Sequence, residues 1–222
     1  MGSGICQVRS VMSEPFLMIP VDDQVKVEAH LIRGGLPRVA AINHPHPLYG
    51  GSMDNNVVMA AMAVLDELGW SVARFNFRGV GGSSGSYADG IGEREDLKAV
   101  CRFLRDQAKQ PEALCVVGYS FGAWVTMGAA GEGLSMDAQI LISPPMDFMS
   151  FETLPVPGIP CLITLGERDD FCRLATLRHW LEKQPEAGIR PHVVTFPGVD
   201  HFYWGAERLL KEEMREFLRS LG

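Results

Sequence analysis

Apolar residues fall along this chain in two rhythms. Short runs of β-branched and other apolar residues, bounded by turn formers, predict strands over residues 25–32, 39–43, 72–77, 114–117, 138–142, 161–165 and 192–196. The later runs do not alternate with polar residues, which is the pattern of strands buried on both faces. Between the runs the spacing becomes helical. Val57, Ala61, Val64, Leu65 and Leu68 share one helix face, as do Leu97, Val100, Cys101 and Leu104, and Leu210, Met214, Phe217 and Leu221 mark a closing helix. Strands alternating with helices predict an α/β architecture, a mostly parallel central sheet joined by right-handed crossovers and covered by helices on both faces. The first two runs are separated only by the segment around Arg33, Gly34 and Gly35, so they predict an antiparallel, hairpin-like start. With no internal repeat and no long linker, residues 1–222 are expected to form a single domain, of which 1–15 are a disordered or appended start.

Composition narrows the partners. The chain has 222 residues, 46% of them hydrophobic and 21% charged, enough to bury a core without metal or disulfide staples. A formal net charge of −7 without any Lys/Arg run lacks the electrostatic footprint of a nucleic-acid binder. No apolar run reaches membrane-spanning length and the start lacks the regions of a signal peptide, so no membrane partner is expected. Met1-Gly2 opens like a myristoylation signal, but Cys6 stands where that motif takes Ser or Thr. The cysteines are Cys6, Cys101, Cys115, Cys161 and Cys172, scattered and never spaced CxxC, which suits a reducing cytoplasm. Cys101, Cys115 and Cys161 lie in apolar segments and are expected in the core. A monomer or homodimer is expected.

The sharpest chemical signal is Gly118-Tyr119-Ser120-Phe121-Gly122, between an apolar run and a small-residue helical segment. A GxSxG motif between strand and helix forms a nucleophile elbow, in which the serine takes a strained conformation and its hydroxyl projects alone. The helix amino terminus then faces the oxyanion formed when a carbonyl is attacked, with Phe121 N–H as the first donor. A serine hydroxyl is a weak nucleophile and needs a base, which needs a third group to fix its tautomer.

With this elbow the chain order is Ser, acid, His. Downstream of Ser120, His179 falls in a predicted helix and His192 at a strand start, whereas His201 follows a strand in Gly198-Val199-Asp200-His201-Phe202. His201 is therefore the expected base. The run 161–165 ends in Gly166-Glu167-Arg168-Asp169-Asp170, and Asp169 is the expected acid; Glu167 and Asp170 are read as caps or solvated, and Asp147 and Asp200 as less suited. The second oxyanion donor should come from His44-Pro45-His46-Pro47-Leu48-Tyr49-Gly50-Gly51. Neither proline carries an N–H, which leaves His46 or Leu48. The HxH spacing could also serve a metal, but neither a carboxylate nor a third histidine stands near it in sequence. No metal or organic cofactor is expected.

The segments HPHPLYGG, FNFRGVGGSSG, GYSFGAW, GERDD and GVDHF, in this order from about Leu17 to the end, resemble the small single-domain serine hydrolases of the α/β-hydrolase superfamily, near the dienelactone-hydrolase-like branch. The resemblance implies an α/β-hydrolase fold and a triad of Ser120, Asp169 and His201 with two backbone donors. Dienelactone hydrolases use cysteine as nucleophile, and Ser120 stands in its place here, which argues against a dienelactone substrate.

The expected reaction is cleavage of a small or short-chain carboxylic ester through an acyl-enzyme. A thioesterase, acyltransferase or peptidase could use the same residues, and a non-catalytic binding protein is the other class. Too few residues separate the runs 138–142 and 161–165 for a sizeable cap domain, so the site should be open. Tyr49, Tyr119, Met146, Phe148 and Phe202 are candidates for an apolar pocket holding the acyl group of a small-molecule substrate.

Overall fold

A computed structural model describes residues 16–109, 111–154, 156, 158–184 and 189–222. The start at residues 1–15, with Cys6 and the Met1-Gly2 opening, lies outside the described residues. Strand burial separates the centre of the sheet from its edge. In β2 (Lys26–Ile32) only Val27, Ala29 and Leu31 are buried, every second residue, whereas β5 (Ala113–Tyr119), β6 (Ala138–Ile142) and β7 (Cys161–Gly166) are buried almost throughout. Strands of the second kind require cover on both faces. The sheet has eight strands in the order β1-β2-β4-β3-β5-β6-β7-β8, with β1 (Leu17–Pro20), β3 (Arg38–Asn43), β4 (Ser71–Phe75) and β8 (His192–Phe196) completing it.

Cover comes from helices whose apolar faces match the spacing in the sequence. On one face Val57, Ala61 and Leu65 of α1 (Asn56–Glu67) join Leu210, Met214 and Phe217 of α5 (Glu207–Ser220) over β3, β5 and β6. On the other, Leu97, Val100 and Leu104 of α2 (Ile91–Ala108) pack with Phe121, Val125 and Ala129 of α3 (Phe121–Gly131). Leu177 and Trp180 of α4 (Leu174–Glu182) extend the cover over Ile163 and Leu165 of β7. No helix among the described residues is long and apolar enough to cross a membrane.

The hairpin-like start needs correction. β4 lies between β2 and β3: Ala29 of β2 faces Phe75 antiparallel, and Ala41 of β3 faces Ala73 in parallel register. The antiparallel hairpin is formed one strand earlier, by β1 and β2, around Asp22, whose carboxylate accepts the N–H groups of Gln24 and Val25. Burial explains the difference, since β3 is covered on both faces and must sit centrally while the alternating β2 belongs near the edge. Gly34 makes the detour passable, because a Cβ there would lie 2.1 Å from Gly69 O.

The connection after β4 leaves the carboxyl edge of the sheet and is anchored at once to α2. Arg78 donates from its backbone and guanidinium to Asp96 of α2, at 2.7 Å for the closest pair, and the Asp96 side chain is fully buried. Burial pushes the Asp96 carboxyl up, against the pull of Arg78. Further along, Ala88 and Gly90 N–H donate to the Glu93 carboxylate, and Gly82 N–H donates to Glu28. A buried carboxylate that loses its partner costs about 3–5 kcal/mol. Arg78→Leu is therefore expected to lower the free energy of unfolding measured by urea titration by that much; a loss under about 1 kcal/mol would show that the pair does not hold this connection.

Candidate active site

The chain passes from β5 into α3 with no intervening residue but Ser120, whose backbone sits at φ 54° and ψ −119°. That left-handed region is unfavourable for serine, and neighbours hold it there. Ser120 N–H donates to Ile142 O of β6 at 2.8 Å. The flanking glycines allow the approach: a Cβ on Gly118 would lie 2.4 Å from Gly122 O, and one on Gly122 would lie 2.6 Å from Asn43 O. Thr126 Oγ1 donates to Gly122 O and accepts from Asn43 Nδ2, tying the end of β3 to the same turn.

Asp169 follows β7 and His201 follows β8, so the parallel strands deliver both to the edge where Ser120 projects. His201 Nε2 is 2.9 Å from Ser120 Oγ, and its Nδ1 is 2.9 and 3.0 Å from the two Asp169 oxygens. All three residues are buried, at 5–7% exposure. An ionised carboxylate only accepts, so Nδ1 carries the proton and Nε2 offers its lone pair to the serine hydroxyl. Asp169 is held by the N–H groups of Phe171 and Cys172, an Asx turn of its own segment. The Phe171 ring packs 4.4 Å from the His201 ring, and Phe202 meets it edge-on at 5.6 Å. Asp147 is engaged by Arg173 and Thr176, which hold its carboxyl well below the usual range, and Asp200 accepts Phe202 N–H.

Two expectations change at this point. Tyr119 does not line a pocket: it is buried in the core behind the site, and its hydroxyl donates to His201 O at 2.9 Å. Leu48 N–H is not available to an oxyanion, because it donates to His46 Nδ1 at 3.2 Å across the short 3-10 turn Pro47–Tyr49. Among the described residues, neither His46 N–H nor Phe121 N–H has an acceptor within the protein. Sequence reasoning also passed over Phe171 and Tyr87, the latter with its hydroxyl 3.3 Å from His46 Nε2. Only the Asp-x-Phe spacing of an Asx turn pointed to Phe171.

The remaining pocket candidates are near the opening. Tyr49 and Phe148 are exposed, Phe202 is half-exposed and Met146 is partly buried. Met146, Phe148, Phe151 and Trp180 line a cavity of about 750 Å³ between the connection after β6 and α4. Phe148 stacks 5.0 Å from Phe171, which joins the cavity rim to the His201 ring. Cys101, Cys115, Cys161 and Cys172 are buried, and burial pushes the thiols of Cys101, Cys161 and Cys172 up to about 12. Among the described residues no three His, Cys, Asp or Glu side chains converge as a metal site.

His44 serves the scaffold. It is fully buried, accepts Phe77 N–H on Nε2 at 3.0 Å and donates from Nδ1 to Pro45 O at 2.6 Å, a pattern only the neutral ring can make. Burial pushes its pKa from 6.5 down to about 4. Below pH 6.5 the unfolded chain therefore takes up a proton that the folded chain refuses until about pH 4. Stability from this group should fall as pH drops through that window, by about 1.4 kcal/mol per pH unit, and should not change above it. Urea unfolding at pH 7 and pH 5 checks this: His44→Gln, less stable at pH 7, should lose less on acidification than the wild type, and equal losses would contradict the assignment.

A model of the dienelactone hydrolase family matches residues 90–213. The chain is 32% identical over 173 residues to an uncharacterized protein of Rickettsia prowazekii, an alignment covering 74% of this chain and 71% of that one. Among solved structures it is similar to an α/β serine hydrolase homologue from Coxiella burnetii, at 32% identity and a TM-score of 0.84 over 93% of this chain and 98% of that one. It is equally similar to a lid-less α/β serine hydrolase from Xanthomonas campestris, at 32% identity and a TM-score of 0.83 over 95% of each chain. The chain is thus a hydrolase with the α/β-hydrolase fold, and it belongs to the dienelactone hydrolase family.

Proposed function

We propose that this chain is a serine carboxylesterase acting on small or short-chain acyl esters, with Ser120 as nucleophile, His201 as base and Asp169 as the acid that orients it. The observation that carries the reading is the continuous line from Ser120 Oγ through the His201 ring to the buried Asp169 carboxylate, with contacts of 2.9 Å on each side of the ring. Ser120 Oγ attacks the ester carbonyl as His201 Nε2 takes its proton. The carbonyl oxygen becomes an oxyanion, stabilised by Phe121 N–H and His46 N–H. Collapse expels the alcohol, which leaves with the proton from His201, and an acyl-Ser120 ester remains. Water, deprotonated by His201, then attacks that ester and releases the acid.

Exposed Tyr49 packs on the His46 ring, exposed Phe148 on the Phe171 ring and Phe202 on the His201 ring, apolar surfaces that suit an uncharged small-molecule acyl group. No cap covers the site among the described residues, since the segment from β6 to β7 contains neither helix nor strand. The buried thiols fit a reducing cytoplasm.

Hydrolysis of p-nitrophenyl acetate, butyrate and octanoate by the wild type tests the reading, with kcat/KM expected to fall toward the longest chain. Ser120→Ala should lower kcat by on the order of 10⁴-fold or more and abolish labelling by a fluorophosphonate probe. Asp169→Asn, which lets the ring take the wrong tautomer, should lower kcat by about 10³–10⁴-fold. A folded wild type that neither turns over nor labels, or a Ser120→Ala protein that still labels, would overturn the assignment.

A further inference from the structure

The Gly- and Ser-rich connection after β4 has no part in the mechanism above, yet it is held by hydrogen bonds to Asp96, Glu93 and Glu28 and passes beside the His46 turn. What it delivers there is Tyr87. The Tyr87 hydroxyl lies 3.3 Å from His46 Nε2, and its ring lies 5.1 Å from the imidazole. The other ring nitrogen, Nδ1, accepts Leu48 N–H at 3.2 Å.

The Leu48 contact determines where the proton is. A backbone N–H can only donate, so Nδ1 is unprotonated and the neutral ring carries its proton on Nε2. Nε2–H then donates to the Tyr87 oxygen. In the other tautomer Nδ1–H and Leu48 N–H would point at each other. Partial burial keeps the His46 pKa below its ordinary value, which favours the neutral ring.

We infer that Tyr87 is a positioning residue for the oxyanion site: its oxygen accepts Nε2–H of His46 in the tautomer that Leu48 N–H selects, and so holds the imidazole that fixes the turn carrying the His46 N–H. The inference rests on the serine-esterase reading of the same site. Through Leu48 N–H the imidazole closes the turn, while His46 O accepts from Tyr49 N–H at 3.1 Å and Gly51 N–H at 3.0 Å, and Pro45 O accepts from His44 Nδ1 at 2.6 Å, so the peptide groups on both sides of His46 are held. Gly51 is part of the same lock, since a Cβ there would lie 2.1 Å from Pro45 O. The imidazole also packs 4.8 Å from the Phe121 ring, next to the other proposed donor. One ring thus braces both arms of the oxyanion site. Because the oxyanion forms only as the reaction proceeds, loosening the brace should act on kcat rather than on KM.

The test uses p-nitrophenyl butyrate and four variants of the whole chain. Tyr87→Phe keeps the ring packing and removes the acceptor, and it should lower kcat about 10-fold with KM within about twofold, less than the loss on deleting an oxyanion donor outright. His46→Ala should lose more. His46→Asn should recover most of that loss, because a carboxamide oxygen can accept Leu48 N–H as a cap without a ring that Tyr87 must hold. In the His46→Asn background Tyr87→Phe should cause no further loss. Long-range ¹⁵N–¹H spectra of the histidines give an independent readout: His46 should be neutral with its proton on Nε2 in the wild type, and in Tyr87→Phe the Nε2–H signal should shift and exchange faster with water as its acceptor is lost.

An unchanged kcat in Tyr87→Phe, an equal loss in both His46 backgrounds, or a wild-type His46 protonated on Nδ1 would overturn the inference while Ser120-dependent turnover still supported the esterase reading. A wild type without Ser120-dependent turnover would remove that reading and the inference with it.

Discussion

A parallel strand buried on both faces can present a side chain to a ligand only at its carboxyl end, and only where the chain turns sharply enough into the next helix. The passage from β5 to α3 meets this constraint in a single residue. Ser120 takes a positive φ because Gly118, Gly122 and Asn43 are packed too closely for any wider turn. Sheet order then determines what meets it. β6 supplies the carbonyl that fixes Ser120 N–H, β7 and β8 end in the segments of Asp169 and His201, and β3 ends in the loop of His46. The central turn and its neighbouring strands form one mechanical unit, and strain at the serine is balanced by backbone bonds and close packing on every side.

Polar groups buried around this unit are paired in ways that fix proton positions. His44, His46 and His201 each use both ring nitrogens, and their partners dictate two opposite arrangements. His44 donates from Nδ1 and accepts on Nε2, as His201 does, whereas His46 is reversed. The reason is the chemistry of each neighbour, whether a carbonyl or carboxylate that can only accept or a backbone N–H that can only donate. Residues with the same composition therefore serve as scaffold, brace and proposed base according to what surrounds each ring.

Much of this could be read from the sequence. The uninterrupted apolar runs located β5, β6 and β7, and the helical spacing of Val57 to Leu68 and of Leu97 to Leu104 located α1 and α2, because burial on a regular element leaves a periodic trace. The motif order also brought forward the three side chains that the structure places in line. What was missed has no such trace. β4 sits between β2 and β3 because of relative burial across the sheet, which adjacency in the chain conceals. Tyr119 looked like a pocket residue because it adjoins Ser120, but successive residues of a strand point to opposite faces and it went into the core. Leu48 lost its place as a donor to a side chain two residues away, and Tyr87 reaches His46 across 41 positions of the chain, contacts that depend on loop geometry alone.

The insertion of β4 between β2 and β3 also bears on how the chain reaches this structure. Synthesis from the amino terminus releases the β1–β2 hairpin well before β4 exists, and a two-stranded ribbon alone is marginal in water. Its alternating face stays without a partner until α1 and β4 have emerged, and β4 gains its second neighbour only when β3 lies beside it. Docking of the first-made hairpin must therefore wait for β4 and close a long loop, an entropically costly step of folding.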